Sequence, residues 1–178
     1  AQELSDRAVS TINIRTIFRL PPTEIIRTAN DAKEVMKKWW DSYFAVRKKI
    51  EDNDRDSRWE FDKKRLFDRT SYVSMRLSDI IEAAQTLLDF RSILGPELKA
   101  VSGDNARISE IEDCVQAQLL APIESVPFDM FDRRFQSSWD SIMAKMKLDV
   151  VEIEGMIKTF IDSSFKKLRS AEKAFQVL

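Results

Sequence analysis

An aspartate-rich stretch has the spacing of a cation-binding loop. Asp52, Asp54 and Asp56 stand at alternate positions, as at the start of a calcium-binding EF-hand loop. Such a loop needs a glycine at its sixth position and a bidentate glutamate at its twelfth, where this chain has Ser57 and Lys63. Because both essential features are missing, the stretch predicts a solvated turn between two helices. A weak cation site is the alternative.

Other residue types that carry catalysis are scarce. The chain has no histidine and one cysteine, Cys114, so it lacks Ser–His and Cys–His pairs, histidine-containing metal sites and cysteine-based zinc sites. Its three glycines, Gly95, Gly103 and Gly155, are too far apart for a phosphate-binding loop. Cys114 lies between apolar positions and is predicted to be a small buried side chain, with a reactive thiol as the alternative. We therefore expect no catalytic, cofactor-binding or metal site, and no enzyme activity in this chain.

The charge balance also excludes whole classes of partner. The 29 basic and 30 acidic residues give a net charge of −1, which argues against binding nucleic acid by bulk charge. No apolar run is long enough to span a bilayer, so no membrane partner is expected. The single cysteine and the absence of a signal pattern favour a reducing, intracellular setting.

The elements that carry these residues are predicted to be long helices. Three glycines and five prolines in 178 residues are too few for the many turns of a β-sandwich or barrel. A first helix is predicted over residues 4–20, with Ser5 as a possible cap, and it ends at Pro21-Pro22. A second helix runs from Thr23, its expected N-cap, to Asn53. A third begins at about Arg58 or Glu60 and ends at Leu94.

The second half of the chain has clear stop signals. Gly95 and Pro96 predict the end of the third helix, with Gly95 as a left-handed cap. Gly103 and Asp104 mark another turn, and Asp104 is the expected N-cap of a fourth helix that ends before Pro122. Residues 122–134 are predicted to be an apolar, irregular connection. Apolar residues, Leu168 among them, then recur at steps of three and four and predict one helix over 135–178. Gly155 is the position at which this helix is most easily bent.

These elements predict the domain organisation. A helix over 135–178 would be about 65 Å long, whereas a compact domain of this size has a diameter of about 40 Å. We therefore expect an all-α, elongated bundle that is one segment of a larger helical stack. Its parts are a leading helix (1–20), a long helical hairpin (22–94), a short helix with connections (95–134) and the long helix (135–178). The start at Ala1 and the end inside a helical pattern at Leu178 predict a fragment of a longer polypeptide.

Aromatic side chains supply the candidate interaction residues. Placed at about 100° per residue, the apolar arc of the second helix is about 160° wide, more than the stripe of an ordinary surface helix. We expect the side with Trp39 and Val46 to pack on the third helix. The edge formed by Ile26, Trp40 and Phe44 would meet a further helix or another chain, and Trp59 is a further candidate. Ordinary core packing is the alternative.

Several strings, taken together and in order, resemble the N-terminal tail region of dynein heavy chains, the axonemal class more than the cytoplasmic one. The resemblance covers about residues 22–178 and rests on these strings: Trp39-Trp40-Asp41-Ser42-Tyr43-Phe44, Val46-Arg47-Lys48-Lys49-Ile50-Glu51, Arg58-Trp59-Glu60-Phe61-Asp62, Leu66-Phe67-Asp68-Arg69-Thr70, Leu94-Gly95-Pro96-Glu97-Leu98-Lys99-Ala100-Val101, Gly103-Asp104, Pro122-Ile123-Glu124, Phe128-Asp129, Phe160-Ile161-Asp162, Phe165 and Leu168-Arg169-Ser170-Ala171-Glu172. We recognise no motif of the family in residues 1–20, so the helix there is predicted from periodicity alone.

The resemblance implies a non-catalytic segment of a microtubule motor whose ATPase ring lies elsewhere in the heavy chain. The implied partners are other dynein heavy chains, intermediate and light chains, and axonemal docking components. The implied location is the axoneme of a cilium or flagellum, with the cytoplasm as the alternative. No cofactor is implied for this region. A free-standing helical adaptor or scaffold protein is the alternative function.

Overall fold

The computed structural model describes residues 2–10, 12–53 and 62–175, and it confirms the all-α prediction. Every regular element in these ranges is helical, and none is a strand. The α-helices, in chain order, are α1 (Gln2–Val9), α2 (Ile14–Ile17), α3 (Pro22–Asp52), α4 (Lys63–Ile93), α5 (Pro96–Ser102), α6 (Asn105–Cys114), α7 (Ala121–Glu124) and α8 (Gln136–Phe175). A π-helix, Val115–Leu120, precedes α7, and a 3₁₀ turn, Arg133–Phe135, precedes α8.

The chain divides into two compact units. The first comprises Ala1–Gln85 and Phe128–Phe135, and the second comprises Thr86–Pro127 and Gln136–Leu178. The single elongated segment expected from the sequence stays a prediction. Of the helices in the described ranges, none has both the length and the apolar character that crossing a membrane requires.

The predicted first helix is interrupted in the structure. α1 ends at Val9, and α2 begins only at Ile14. Asn13 is extended (φ −108°, ψ 115°), and its side-chain oxygen accepts a hydrogen bond from the Arg15 amide at 3.0 Å. Asparagine competes with the helix in this way and favours the N-cap, so a new helix starts after it. Ser5 is wrong as a cap, because it lies inside α1 and is fully buried.

The long helix α3 begins one residue earlier than predicted. Pro22 occupies its first turn, and Thr23 is inside the helix instead of capping it. Proline suits this position because the first amides of a helix have no intrahelical acceptor. The buried face of α3 lies in its first half: Pro22, Ile25, Ala29, Ala32 and Met36. α1 packs against this helix.

The break between α3 and α4 is only partly described. α3 ends at Asp52, and the Asn53 side chain donates to the Lys49 carbonyl oxygen at 2.6 Å. Asp54, Asp56 and Ser57 of the aspartate-rich stretch lie outside the described residues, as does the predicted helix start at Arg58 or Glu60. The described helix α4 begins at Lys63. The Asp62 carboxylate accepts from the amides of Lys64 and Arg65 at 3.0 and 3.3 Å. Asp62 thereby caps the helix.

In the second unit, the glycine with left-handed geometry is not the one predicted. Gly95 has φ −66° and ψ −176°, and it stands directly before Pro96 at the start of α5. Gly95 is instead constrained by space, since a Cβ there would lie 3.0 Å from the Ser92 carbonyl oxygen. Gly103 ends α5 with φ 65°. Asp104 caps α6 by accepting from the Arg107 amide at 3.1 Å.

The sequence predicted that the fourth helix would end before Pro122. In the structure, the helical run continues past this proline. α6 continues into the π-helix, and α7 follows with Pro122 in its first turn. The Ala121 amide donates to the Gln116 carbonyl oxygen, a bond over five residues. The change of register places Pro122 where a missing amide is tolerated. The helical run therefore passes the proline and buries Val115, Leu119 and Ile123.

The last helix is continuous through Gly155, as predicted. α8 packs against α5, α6 and the π-helix. It buries one face: Trp139, Met143, Met146, Ile153, Ile157, Phe160 and Ser164. Leu168 belongs to the predicted apolar rhythm but is 44% exposed. The rhythm identifies a helix face, but it does not show how far along the helix neighbouring elements cover that face.

Candidate interaction surface

The first unit contains an aromatic cluster centred on Phe67 of α4. Four rings of α3 surround it, with ring centroids 5.0–5.5 Å from that of Phe67: Trp39, Trp40, Tyr43 and Phe44. Three of these pairs are edge-to-face, and Phe44 is stacked at an interplanar angle of 20°. Both geometries are favourable for aromatic rings. The cluster therefore fixes the second half of α3 against the start of α4.

Trp40 is held by a hydrogen bond as well as by ring packing. Its Nε1 donates to the Thr70 hydroxyl at 2.9 Å, and that hydroxyl donates to the Phe67 carbonyl oxygen at 3.0 Å. Thr70 is fully buried. The edge with Trp40 and Phe44 was expected to meet a further helix or another chain, but both side chains contact α4. A helical wheel gives only the angle at which a residue leaves its helix. The large indole of Trp40 extends far enough from α3 to contact α4.

Trp40 also forms one wall of an open groove in the first unit. The groove has a volume of about 570 Å³ and is lined by Asn30, Lys33, Glu34, Met36, Lys37, Trp40, Asp41 and Ser74. The buried Met36 and the half-buried Trp40 supply its apolar part. Charged side chains of both signs, together with Asn30 and Ser74, supply the rest of the lining. This combination is typical of a surface that takes up a side chain of a partner protein.

The charged groups beside the groove are partly paired within the chain. Lys33 Nζ donates to the Ser78 hydroxyl at 2.8 Å. Lys38 Nζ lies 2.9 Å from Glu34 Oε1, and this hydrogen bond lowers the pKa of the Glu34 carboxyl from its ordinary value. Glu34 is therefore ionised at neutral pH. Both side chains of the pair are mostly exposed, so a partner can compete for either of them.

Several large apolar side chains of the first unit remain exposed. They include Val35, Phe44 and Val46 of α3 and Met75 of α4, each 44–57% exposed. The prediction that α3 carries more apolar surface than one neighbour covers is confirmed, although Val46 was expected on the covered side. Ile26 is half-buried, and Trp59 lies outside the described residues. Of the four candidates, the structure brings Trp40 and Phe44 together.

A second group of residues in this unit was not predicted from the sequence. The Arg69 guanidinium donates to the Phe131 carbonyl oxygen, and its Nη2 donates to Asp6 Oδ1 at 2.8 Å. Tyr72 donates its hydroxyl proton to the Met130 carbonyl oxygen at 3.0 Å. Arg133 Nη2 lies 2.8 Å from Asp68 Oδ1. These contacts bind α1 and residues 128–135 to α4. They join positions about 60 residues apart, which no local pattern links.

No arrangement suited to metal binding appears in the part of the chain that the structure describes, where no three His, Cys, Asp or Glu residues cluster. Cys114 of the second unit is half-buried and free. What the described residues offer instead is an aromatic cluster, a groove and exposed apolar side chains on two helices of the first unit.

Comparison with known proteins places the chain in a family. All 178 residues match the family described as "Dynein heavy chain, N-terminal region 1". The chain is 39% identical, over its full length, to the dynein-1-alpha heavy chain of the flagellar inner arm I1 complex of Chlamydomonas reinhardtii. It is 36% identical over 163 residues (92% of the chain) to human dynein axonemal heavy chain 10. It is 23% identical over 168 residues (91% of the chain) to the ciliary dynein beta chain of Tripneustes gratilla.

The chain spans 4% of the length of each of these relatives. The matched part lies in the N-terminal tail of the motor. The axonemal character expected from the sequence strings agrees with the flagellar, axonemal and ciliary relatives. The chain belongs to the dynein heavy chain family and represents its N-terminal region 1.

Proposed function

We propose that this chain is a non-catalytic assembly segment of an axonemal dynein heavy chain. It would serve association with other heavy chains and docking of intermediate chains, light chains or axonemal components. The observation that carries the proposal is the surface of α3 and α4 around Phe67, where Phe44 is 49% exposed beside the Trp40 groove. Family membership supports the same function.

The geometry suits binding of a partner helix. The rings around Phe67 are held by mutual packing, and Trp40 is also held by Thr70, so little side-chain freedom is lost when a partner covers them. Aromatic residues in such pockets supply most of the binding energy of typical interfaces. The groove between these rings and Asn30 can receive an apolar side chain, while Lys37 and Asp41 can contact its polar surroundings.

The proposed location is the axoneme of a cilium or flagellum. The relatives from Chlamydomonas reinhardtii, human and Tripneustes gratilla are named as flagellar, axonemal and ciliary heavy chains. The motor's ATPase activity is assigned in this proposal to the rest of the heavy chain.

Substitution of the exposed ring tests the proposed function. We expect Phe44→Ser in the full-length heavy chain to reduce co-purification of one or more other motor subunits about tenfold, because loss of a central aromatic contact costs about 1–2 kcal/mol of binding. Quantitative mass spectrometry of the purified complex measures the subunit ratios. Val101→Ser is the matched control, since Val101 is 51% exposed in the second unit; it should leave the ratios unchanged.

Two outcomes would contradict the proposal. Unchanged subunit ratios in the Phe44→Ser complex would show that this surface binds no subunit. A chain that co-purifies with no other motor component would favour the alternative of a free-standing helical adaptor. Circular dichroism of both variants establishes that each remains helical.

A further inference from the structure

Two lysines stand in the Trp40 groove, next to its apolar part. At about 100° per residue around α3, with Met36 at zero, Trp40 lies at about 40°. Lys33 lies at about 60° and Lys37 at about 100°, and both line the groove. Because they are four residues apart, they are neighbours on one side of the helix, about 6 Å apart along its axis. The groove therefore presents two positive charges beside the buried Met36 and the half-buried Trp40.

The first of these lysines is held in place by α4. Lys33 Nζ donates to the Ser78 hydroxyl at 2.8 Å, and that hydroxyl donates to the Ser74 carbonyl oxygen at 3.0 Å. An ammonium group has three N–H donors, and the described residues supply this one acceptor to Lys33. Two donors are thus available to a ligand. Because the half-buried side chain is already ordered, little rotamer freedom is lost when a ligand binds it.

The second lysine, Lys37, has no acceptor of its own. It is exposed, and within the described ranges it forms neither a hydrogen bond nor an ion pair, even with Asp41 one turn further along α3. Glu34, the other acidic residue of the groove, is bound to Lys38 at 2.9 Å. That hydrogen bond is the main cause that lowers the pKa of the Glu34 carboxyl, and the charge of Lys37 contributes least. Lys37 is therefore available to a carboxylate from outside the chain.

This arrangement selects the chemistry of an occupant. An apolar segment would take the two ammonium groups out of water without a partner, which is costly, and a basic segment would be repelled by them. An acidic side chain satisfies both lysines, and an apolar side chain beside it covers Met36 and Trp40. An amphipathic helix offers such a pair, because its residues at i and i+4 are also about 6 Å apart.

We propose that the Trp40 groove binds an amphipathic helix of a partner subunit through an acidic side chain placed between Lys33 and Lys37. An apolar side chain of the same helix lies against Met36 and Trp40. This binding mode rests on the function proposed above, because the groove belongs to the same surface, and it adds the charge of the partner. Complementary charge favours the correct subunit over others, since a basic helix would meet like charges in the groove.

Carbodiimide cross-linking of the purified full-length motor complex tests the occupant directly. The reagent joins a lysine amine to a carboxylate in contact with it, through an amide bond formed with net loss of water. We expect Lys33 or Lys37 to be joined to an aspartate or glutamate of another subunit, and mass spectrometry identifies both residues. Lys49 is the control, because it is exposed on the same helix at about 220°. It should give no cross-link to that subunit.

Charge substitution in the full-length heavy chain measures the contribution of this contact. Lys37→Glu should lower the content of the cross-linked subunit about fivefold, because repulsion replaces attraction. Lys37→Arg should preserve it, since the charge is kept, and Lys49→Glu is the matched control that should leave it unchanged. At an ionic strength of about 0.5 M the difference between the Lys37→Glu and unsubstituted complexes should shrink, because exposed charges are screened. A folding defect would not show this dependence on salt.

The outcomes separate this binding mode from the function on which it rests. If Phe44→Ser removes a subunit but Lys37→Glu removes none, the surface binds a partner without the acidic contact, and only the binding mode is wrong. If neither substitution removes a subunit, both are wrong. Cross-links from Lys33 and Lys37 to carboxylates of their own chain alone, or to none, also overturn the binding mode. Loss of one and the same subunit in both variants, with a cross-link from either lysine to its carboxylate, supports it.

Discussion

At the scale of single residues, Arg69 connects three parts of the first unit. It contacts the Phe131 carbonyl oxygen and Asp6, so one guanidinium joins α1, α4 and the segment 128–135. Its side chain is 26% exposed, which leaves the charge only partly screened by water. Arginine suits this position because its fixed fork of donors can bind two acceptors at once. Both of its partners lie about 60 residues away along the chain, so no local sequence pattern predicts this role.

Arg69→Met tests this role. We expect it to lower the free energy of unfolding by about 1–3 kcal/mol, because the Phe131 carbonyl oxygen and the Asp6 carboxylate lose a charged donor. Urea unfolding followed by circular dichroism measures the change. Arg65→Met is the control, since Arg65 is exposed on the same helix; it should shift stability by less than about 0.5 kcal/mol. Equal effects of the two substitutions would show that Arg69 stabilises no more than a surface arginine.

At the scale of elements, the sequence predicts helices better than their ends. The three–four rhythm identified α3, α4 and α8, because an amphipathic face repeats over many turns. It failed at Asn13 and at Pro122, where a single side-chain hydrogen bond or a π-helical register change decides the outcome. The sequence analysis named Trp40 and Phe44 as candidate interaction residues, but it did not predict the cluster that they form with Trp39, Tyr43 and Phe67. Contacts between helices depend on the length and rotamer of each side chain, and a helical wheel shows only the angle of each residue around the helix.

The glycines of α8 and α5 show how the same residue type can have opposite roles. We expect Gly155→Ala to raise the free energy of unfolding by about 0.5–1 kcal/mol, because alanine favours the helix and a Cβ meets nothing there. Gly103→Ala should lower it by about 1 kcal/mol, since φ at Gly103 is 65°. Thermal and urea unfolding of the two variants measure both changes. A destabilising Gly155→Ala would show that the glycine serves the packing of this chain.

At the scale of the whole molecule, the two compact units carry different surfaces. The first unit holds the aromatic cluster and the Trp40 groove, and the second exposes the large apolar side chains Leu148, Val151 and Phe165 of α8. Each surface consists of apolar side chains that the described residues leave exposed, with charged residues beside them. In a chain that spans 4% of its relatives' length, such surfaces are suited to contacts with other parts of a large assembly.

Assembly and catalysis should therefore be separable in the complete heavy chain. The sequence of this chain has no glycine spacing for a phosphate loop, so we expect Phe44→Ser to leave ATP hydrolysis within about twofold of the unsubstituted protein. The same variant should lose subunits, because the exposed ring lies in the proposed interface. Steady-state ATPase activity per heavy chain, measured on the sample used for subunit ratios, checks both effects together. A large fall in ATPase activity with full subunit content would reverse the expected pattern. It would show that this surface acts on the catalytic part of the motor instead of on its assembly.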